Sequence, residues 1–492
     1  MKLSELLNKV KVIQVSGRAE FKEIDSLSID SRTVGNKTLF FAIDGFKTDG
    51  HKFIPDVISR GAAAVVLSKP ELVPDHLFAH SGSVKIVVDD TRISLARFAS
   101  QFYKEPSRKL KLIGITGTKG KTTTAFYIKS VFDYAGFNSG LIGTIANYIG
   151  SNEVKTLLTT PQSHEINFLL NEMVKSGSTH CAMEVSSHAL HLHRADCLKF
   201  HAGVFTNITS DHMDYHKTEE HYLHSKKILF DMIGPDGYVI YNLDDPKSKL
   251  LIKDSKAEKF SYGTSDKADF KIGSIEFDLD GTTFNITYEG KEYNLSTKLA
   301  GHFNAYNAAS AFAVALLDGI DPLTAVEGIK AAKQVPGRFE IVSRKNKKVI
   351  IDYSHTSDSL KQALLAVHHI VRKERPVYTV FGCGGDRDRT KRPLMGEIAS
   401  SMSDRVYVTS DNPRTEDPYL IINEIQMGIK NNNYRIIENR EEAIRAAIFE
   451  SEDNAVVLIA GKGHENYQEI NGVRKHFSDK EISEKYLDEW AK

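Results

Sequence analysis

The sequence predicts an α/β protein of three domains: a small N-terminal α/β domain, a central P-loop ATPase-like domain on a parallel sheet, and a C-terminal Rossmann-like domain. Three observations carry this. At 492 residues the chain exceeds one ordinary core, and typical domain sizes give roughly three. Short apolar runs alternate with amphipathic helical stretches over two long spans, the pattern of parallel sheets covered by helices. The periodicity breaks at the charged, Pro-containing YKEPSRKLK and again at Val335, Pro336, Gly337 and Arg338, which sets domains of 1–105, 106–335 and 336–492.

Taken in order, LSIDSRTV and TLFFAIDG read as strand-turn pairs and FIPDVISRGAAAVVLS as helix then strand. The central span alternates through LIGIT, TTTAFYIKSVFDYAG, SGLIGTI, SHEINFLLNEMVKSG, THCAMEVSS, HAGVFTN, EEHYLHSKKILFDMI and YVIYN. Residues 268–299 then change period, and DFKIGSIEF, TTFNITYEG and KEYNLSTKL predict an antiparallel meander extending the central domain. Two helices, FNAYNAASAFAVALLDG and PLTAVEGIKAAKQ, lead to the second boundary. The last span alternates again, from KKVIIDYS to AVVLIAGKG. On such an open sheet ligands sit beyond the strand C-termini, where DYSHTSDS, GCGGDRDRTKR, SDNPRTEDP and GKGHENYQ fall.

Composition removes several classes. Lys plus Arg and Asp plus Glu are equal at 64 each, so no net field recruits nucleic acid or an anionic membrane. The three cysteines are far apart and match no metal spacing or disulfide framework. No apolar run reaches membrane-spanning length, and MKLSELLNKVKVIQV is amphipathic and charged, so a cytoplasmic protein is expected; a monomer is expected separately, not from these features.

Residues 111–124, KLIGITGTKGKTTT, read as strand, phosphate loop and helix. Backbone amides of the turn Gly117, Thr118, Lys119, Gly120, with the positive end of the following helix, suit a polyphosphate; Lys121 neutralises its outer oxygens and Thr122 is placed for Mg²⁺. Ile115 stands where the usual pattern has its first glycine, so this is a shortened variant. Downstream, LLTTPQS, EVSSHALHLHR, TNITSDHMDYH and Lys226 supply polar clusters, and Glu184 and His212 are candidate magnesium ligands against a plainer reading as hydrogen-bonded strand-end residues. The histidines at 188, 191, 193, 212 and 216 lack a compact zinc spacing.

GTKGKTT, MEVSSH, FTNITSDHMDYH, GHFNAYNAA, PGRFE, DYSHTSDSL, FGCGGDRDRTKRP, DNPRTEDP and GKGHE together resemble the successive signatures of the Mur ligase family, across nearly the whole chain. The resemblance implies an ATP-dependent amide ligase of peptidoglycan synthesis that activates the D-glutamate of UDP-N-acetylmuramoyl-L-alanyl-D-glutamate as an acyl phosphate and adds meso-2,6-diaminopimelate. It implies a nucleotide site of Gly117 to Thr123, Asn304, Asn307 and Asp352, with Arg338 and His355 nearby, and a magnesium set of Thr122, Glu184, His212 and a carbamylated Lys226. Read alone, Lys226 is a solvated helix lysine. Uridine contacts fall on Ile29, Ser31, Phe46, Lys47 and Thr48, and muramoyl dipeptide contacts on Thr159, Thr160, Ser186 and Arg194. Diaminopimelate falls to Arg387, Asp411, Asn412, Pro413, Arg414, Gly461 and Glu465. In that set Arg414 takes the distal carboxylate, Arg387 the other, and Asn412, Glu465 and carbonyls around Gly461 accept from the distal ammonium.

Departures from the family pattern are Lys119 for the usual asparagine, Leu158 and Leu192 for polar residues, and DYSHTSDSL lacking a proline. Lys119 adds a cation beside the phosphates. The alternatives are the same ligase using L-lysine, a folylpolyglutamate synthetase, and a nucleotide switch that hydrolyses ATP without an amino acid.

Overall fold

The computed structural model describes residues 1–492 apart from 47, 210 and 373 and the side chain of 214. The first sheet has five strands: Ser26–Ser28, Thr38–Phe41, Ala64–Leu67 and Val84–Val87 run parallel, and Gln14–Ser16 closes the edge antiparallel to Val84–Val87. Loops after Ser28 and Phe41 therefore leave at the same edge.

The central sheet has 12 strands, with the phosphate-loop strand Lys111–Thr116 between His180–Glu184 and Ala202–Phe205, both parallel to it. That position brings the loops after three neighbouring strands to one end of the sheet, as ligand sites of open α/β sheets require. The predicted meander forms there: Thr282–Tyr288 pairs antiparallel with Lys291–Thr297 and with Phe270–Ile272, continuing the same sheet. Helix His302–Leu317 is rich in alanine and buried nearly all round, which lets it lie close on helix Lys121–Tyr134. Asn304 and Asn307, near its start, are thereby carried to the phosphate loop.

The third sheet has six strands, with Lys347–Asp352, Val456–Ala460, Val377–Phe381, Arg405–Val408 and Tyr434–Ile436 parallel and Glu340–Arg344 antiparallel at the edge. A separate hairpin, Tyr467–Ile470 with Val473–His476, follows. Among the described residues no helix is long and apolar enough to cross a membrane.

Candidate active site

Strand Lys111–Thr116 ends where the chain must turn sharply into helix Lys121–Tyr134, and both loop glycines sit at positive φ, Gly117 at 149° and Gly120 at 85°. A Cβ on Gly117 would lie 1.9 Å from the Thr206 hydroxyl, and one on Gly120 would lie 2.4 Å from the Asn307 amide oxygen. Both positions therefore exclude side chains on space as well as conformation. The Lys121 amine donates to the carbonyls of Gly117 and Thr118, at 2.9 Å each. Burial draws its pKa below the usual lysine value, against the pull of the Glu184 and Asp211 carboxylates.

Thr122 donates its hydroxyl to Glu184 at 2.9 Å, and Glu184 also accepts from the Thr144 amide at 2.8 Å and the Thr144 hydroxyl at 2.9 Å. Glu184 is fully buried at the end of its strand. His212, at φ 56°, is held beside Asp211, and its ring meets that of His188 at 4.8 Å. Among the described residues no three or more His, Cys, Asp or Glu side chains are gathered to hold a metal ion. The donor set around Thr122 is nonetheless oxygen-rich, with two hydroxyls on one buried carboxylate, and that fits magnesium's preference for hard ligands.

Lys226 departs furthest from the reading of a solvated helix lysine. It is 1% exposed, donates to the Gly117 carbonyl at 2.7 Å and lies 4.5 Å above the Tyr222 ring. Burial, reinforced by the charge of Lys121, drives its pKa well below the usual lysine value, opposed by Asp211. A buried cation without a carboxylate on it costs several kcal/mol, on the order of what deprotonation avoids. The site therefore shifts the balance toward the neutral amine.

The Asn307 oxygen is within 3.4 Å of the Thr124 hydroxyl, and the Asn307 amide donates to Asn304 at 3.2 Å. Asp352 accepts from the Phe339 amide at 2.8 Å and from the Ser354 hydroxyl, and burial raises its pKa. Its carboxylate thus fastens the PGRF segment through Phe339. Across the same cleft Arg338 reaches Thr122 at 3.4 Å and stacks over Tyr353 at 4.7 Å, while burial lowers His355 to about 4. Lys119 pairs with Asp358 at the start of helix Ser357–Val371. Lys119 thereby also reaches the C-terminal domain, a link sequence reading missed because its partners are 239 residues apart.

The dipeptide residues do gather. Thr160 donates to the Glu184 carbonyl at 2.8 Å and accepts from the Ser186 amide at 3.1 Å, Arg194 donates to the Thr160 carbonyl at 3.0 Å, and the Thr159 hydroxyl lies 3.1 Å from that of Thr144. The Arg194 Nε is buried without a hydrogen-bond partner, a donor edge available to an anion. In the N-terminal domain Ile29 and Ser31 follow one strand and Phe46 and Thr48 the next, at a shared edge. Phe46 is 76% exposed and meets Tyr215 of the central domain edge-on at 5.7 Å. Lys47 lies outside the described residues.

Asp411, Asn412, Pro413 and Arg414 form a turn that packs on the Gly384 and Gly385 loop and on the hairpin. Arg414 Nη1 donates to the Gly385 carbonyl at 2.6 Å, and its backbone pairs with Glu469 and Asn471 at 3.1 and 2.7 Å. Gly461, at φ 119°, leaves space that a Cβ would fill, 2.6 Å from Asp411. Arg387 is exposed on the neighbouring loop. The Asn412 amide oxygen accepts from Lys462 at 3.2 Å and from the Glu469 amide at 2.9 Å, so in this arrangement both its lone pairs are engaged within the protein. Asn412 donates to Glu465 at 2.7 Å.

The phosphate loop meets a second α/β domain through Lys119 with Asp358 and Thr122 with Arg338, an arrangement that suits an ATP-dependent ligase joining an acid to an amine. Residues 23–103 match the Mur ligase family catalytic domain, 115–315 the Mur ligase middle domain, and 337–463 the Mur ligase glutamate ligase domain. The chain is 42% identical over 99% of its length, and the whole of the relative's, to UDP-N-acetylmuramoyl-L-alanyl-D-glutamate--2,6-diaminopimelate ligase 1 of Clostridium acetobutylicum. It is 39% identical over the full length of both chains to the corresponding ligase of Cytophaga hutchinsonii. A solved UDP-N-acetylmuramoyl-L-alanyl-D-glutamate--2,6-diaminopimelate ligase aligns at TM-score 0.68 and 30% identity over 99% of each chain. MurF ligase of Thermotoga maritima in complex with ADP shares the fold at TM-score 0.63 and 16% identity, covering 95% of this chain and 96% of that one. The chain belongs to the Mur ligase family.

Proposed function

We propose that this protein, as a cytoplasmic monomer, adds meso-2,6-diaminopimelate to the D-glutamate of UDP-N-acetylmuramoyl-L-alanyl-D-glutamate at the expense of ATP, in peptidoglycan biosynthesis. The observation that carries it is full-length identity of 42% to a relative of that name. The gathering of Thr159, Thr160, Ser186 and Arg194 beside the phosphate loop supports it. In this reading residues 1–105 hold the uridine end, 106–335 the nucleotide and the dipeptide, and 336–492 the amino acid.

The chemistry follows from the groups described. Loop amides and Lys121 take up charge on the γ-phosphoryl as it passes to the D-glutamate side-chain carboxylate, leaving ADP and an acyl phosphate. Thr160, Ser186 and Arg194 hold the dipeptide so that this carboxylate meets the phosphoryl group. The C-terminal domain brings a free amine to the acyl carbon; the amide bond forms, the C–O bond to phosphate breaks, and inorganic phosphate leaves. Thr122, Glu184, His212 and Lys226 as a carbamate are the residues that would hold Mg²⁺, which neutralises polyphosphate charge when bound. Asn304, Asn307 and Asp352 border the nucleotide.

The deciding experiment measures phosphate release with ATP, UDP-muramoyl dipeptide and, in turn, diaminopimelate, lysine and ornithine. Release is expected only with all three components and strongest with diaminopimelate. Release without an amino acid identifies a nucleotide hydrolase, and equal use of lysine removes the specificity assignment.

Lys226 gives a separate expectation. A neutral amine adds CO₂ to form a carbamate with loss of a proton, so ¹³C-bicarbonate should yield a protein-bound carbamate carbon signal. Lys226→Arg should lack the signal and lose most of its activity. A signal that persists in the variant places the carbamate elsewhere.

A further inference from the structure

Lys462, in the GKGHE loop, is a buried charged residue of the amino-acid domain to which the proposed mechanism gives no role. Its side chain is fully buried. A lysine is seldom buried unless its ammonium has partners. The Lys462 amine donates to the Asn412 amide oxygen at 3.2 Å, approaches the Glu465 carboxylate at 3.4 Å and donates to the Tyr467 carbonyl. The Asn412 oxygen also takes the Glu469 amide, so its orientation is fixed and its NH₂ must face Glu465 Oε2, at 2.7 Å. Lys462 and Asn412 thus both address the same Glu465 oxygen, Oε2.

We propose that Lys462 is a positioning residue for amino-acid selection: it locks the Asn412 amide and the Glu465 carboxylate so that the other Glu465 oxygen is presented to the distal ammonium of diaminopimelate. The assignment rests on the function proposed above. It separates two jobs within one cluster. Arg414 answers the distal carboxylate, while Lys462, never touching the ligand, keeps the ammonium acceptor aimed and ionised. The second job is needed because the Glu465 carboxylate is largely withdrawn from water beside Asp411, and both influences push its pKa up while Lys462 and Asn412 hold it down. Other charged or titratable groups around it are Arg440, whose guanidinium is fully buried on Asp479 and the Ala460 carbonyl, with Arg474, Tyr353 and Tyr467. Of these, Lys462 is the cation within 3.4 Å of the carboxylate.

The test compares wild type, Lys462→Met, Glu465→Gln and the double variant in the full-length enzyme. Lys462→Met should lower kcat/KM for diaminopimelate by about 10- to 100-fold, mainly through KM, with KM for ATP unchanged. The acid limb of its kcat/KM profile should move to higher pH, because Glu465 loses the nearby cation that favours its ionised form. The loss in Lys462→Met should largely vanish on the Glu465→Gln background, since a residue acting through Glu465 has nothing left to act on. An unmoved acid limb, or additive losses, would overturn the inference even where wild type prefers diaminopimelate; a wild type indifferent to diaminopimelate defeats the functional reading first. Should Lys462→Met not fold, Asn412→Asp keeps an acceptor for Lys462 but removes the donor to Glu465. It must then raise the acid limb, and an unmoved limb again overturns the inference.

Discussion

Lys121→Ala should cut ligation by at least about 100- to 1000-fold while leaving the protein folded, the range seen when one preorganised charge-stabilising donor is removed from a transition state. The effect is expected in kcat because the γ-phosphoryl charge spreads over oxygens that Lys121 meets most strongly as the bond to ADP breaks. In the structure the amine donates to the Gly117 and Thr118 carbonyls. Those carbonyls are weaker partners than a phosphate oxygen, so the exchange on binding is favourable. Removing the side chain takes away two loop hydrogen bonds and no apolar core, so a thermal melt should shift by only a few degrees, about 1 kcal/mol for each lost bond. Phosphate release with both substrates, read beside that melt, decides it. Near-normal turnover in a folded variant removes the phosphate-loop assignment.

The phosphate loop was legible because its constraint is local. Two glycines, a lysine and a threonine within six residues between a strand and a helix report a backbone path that the structure reproduces, down to positive φ at Gly117 and Gly120. The alternation of the third span was legible for the same reason. What stayed hidden is long-range. Lys119 reads only as a cation beside the phosphates, and nothing local pairs it with Asp358 of the C-terminal domain. Arg392 looks solvated in GDRDRTKRP, yet it is fully buried between Glu416 and Glu424 at 2.9 and 2.7 Å. Lys226 and Lys462 are likewise buried in spite of polar neighbours in sequence, since helix and loop periodicity record which face a residue takes but not which domain later covers it. The hairpin Tyr467–Ile470 with Val473–His476 escaped because its second strand is wholly exposed and has no apolar alternation to show.

Arg414→Ala should collapse the preference for diaminopimelate rather than activity in general. Diaminopimelate exceeds lysine by a carboxylate on its distal carbon, so a selective site needs a fixed cation there. A plainer account makes Arg414 an exposed loop arginine in a weak surface pair with Glu416 or Asp417, but the Glu416 carboxylate is held by Arg392 at 2.9 Å and by Arg389 at 2.6 Å, which pull its pKa down to about 2. Arg414 itself is pinned through its backbone to the hairpin and through Nη1 to Gly385, at a φ of 54° that a β-carbon tolerates poorly. A guanidinium carries five N–H donors, so one bond to Gly385 leaves a fork for a carboxylate. The turn, the Gly385 loop and the hairpin together aim that fork, and a lysine at 414 would keep the charge and lose the paired geometry. Losing one partner of a buried charged pair costs about 2 to 5 kcal/mol, so kcat/KM for diaminopimelate should fall by roughly 30-fold to several thousand-fold. Lysine, which has nothing to offer Arg414, should lose far less. The ratio of the two kcat/KM values therefore carries the result: it should be large in wild type and near one in the variant. A ratio that Arg414→Ala leaves unchanged assigns the selection to other residues.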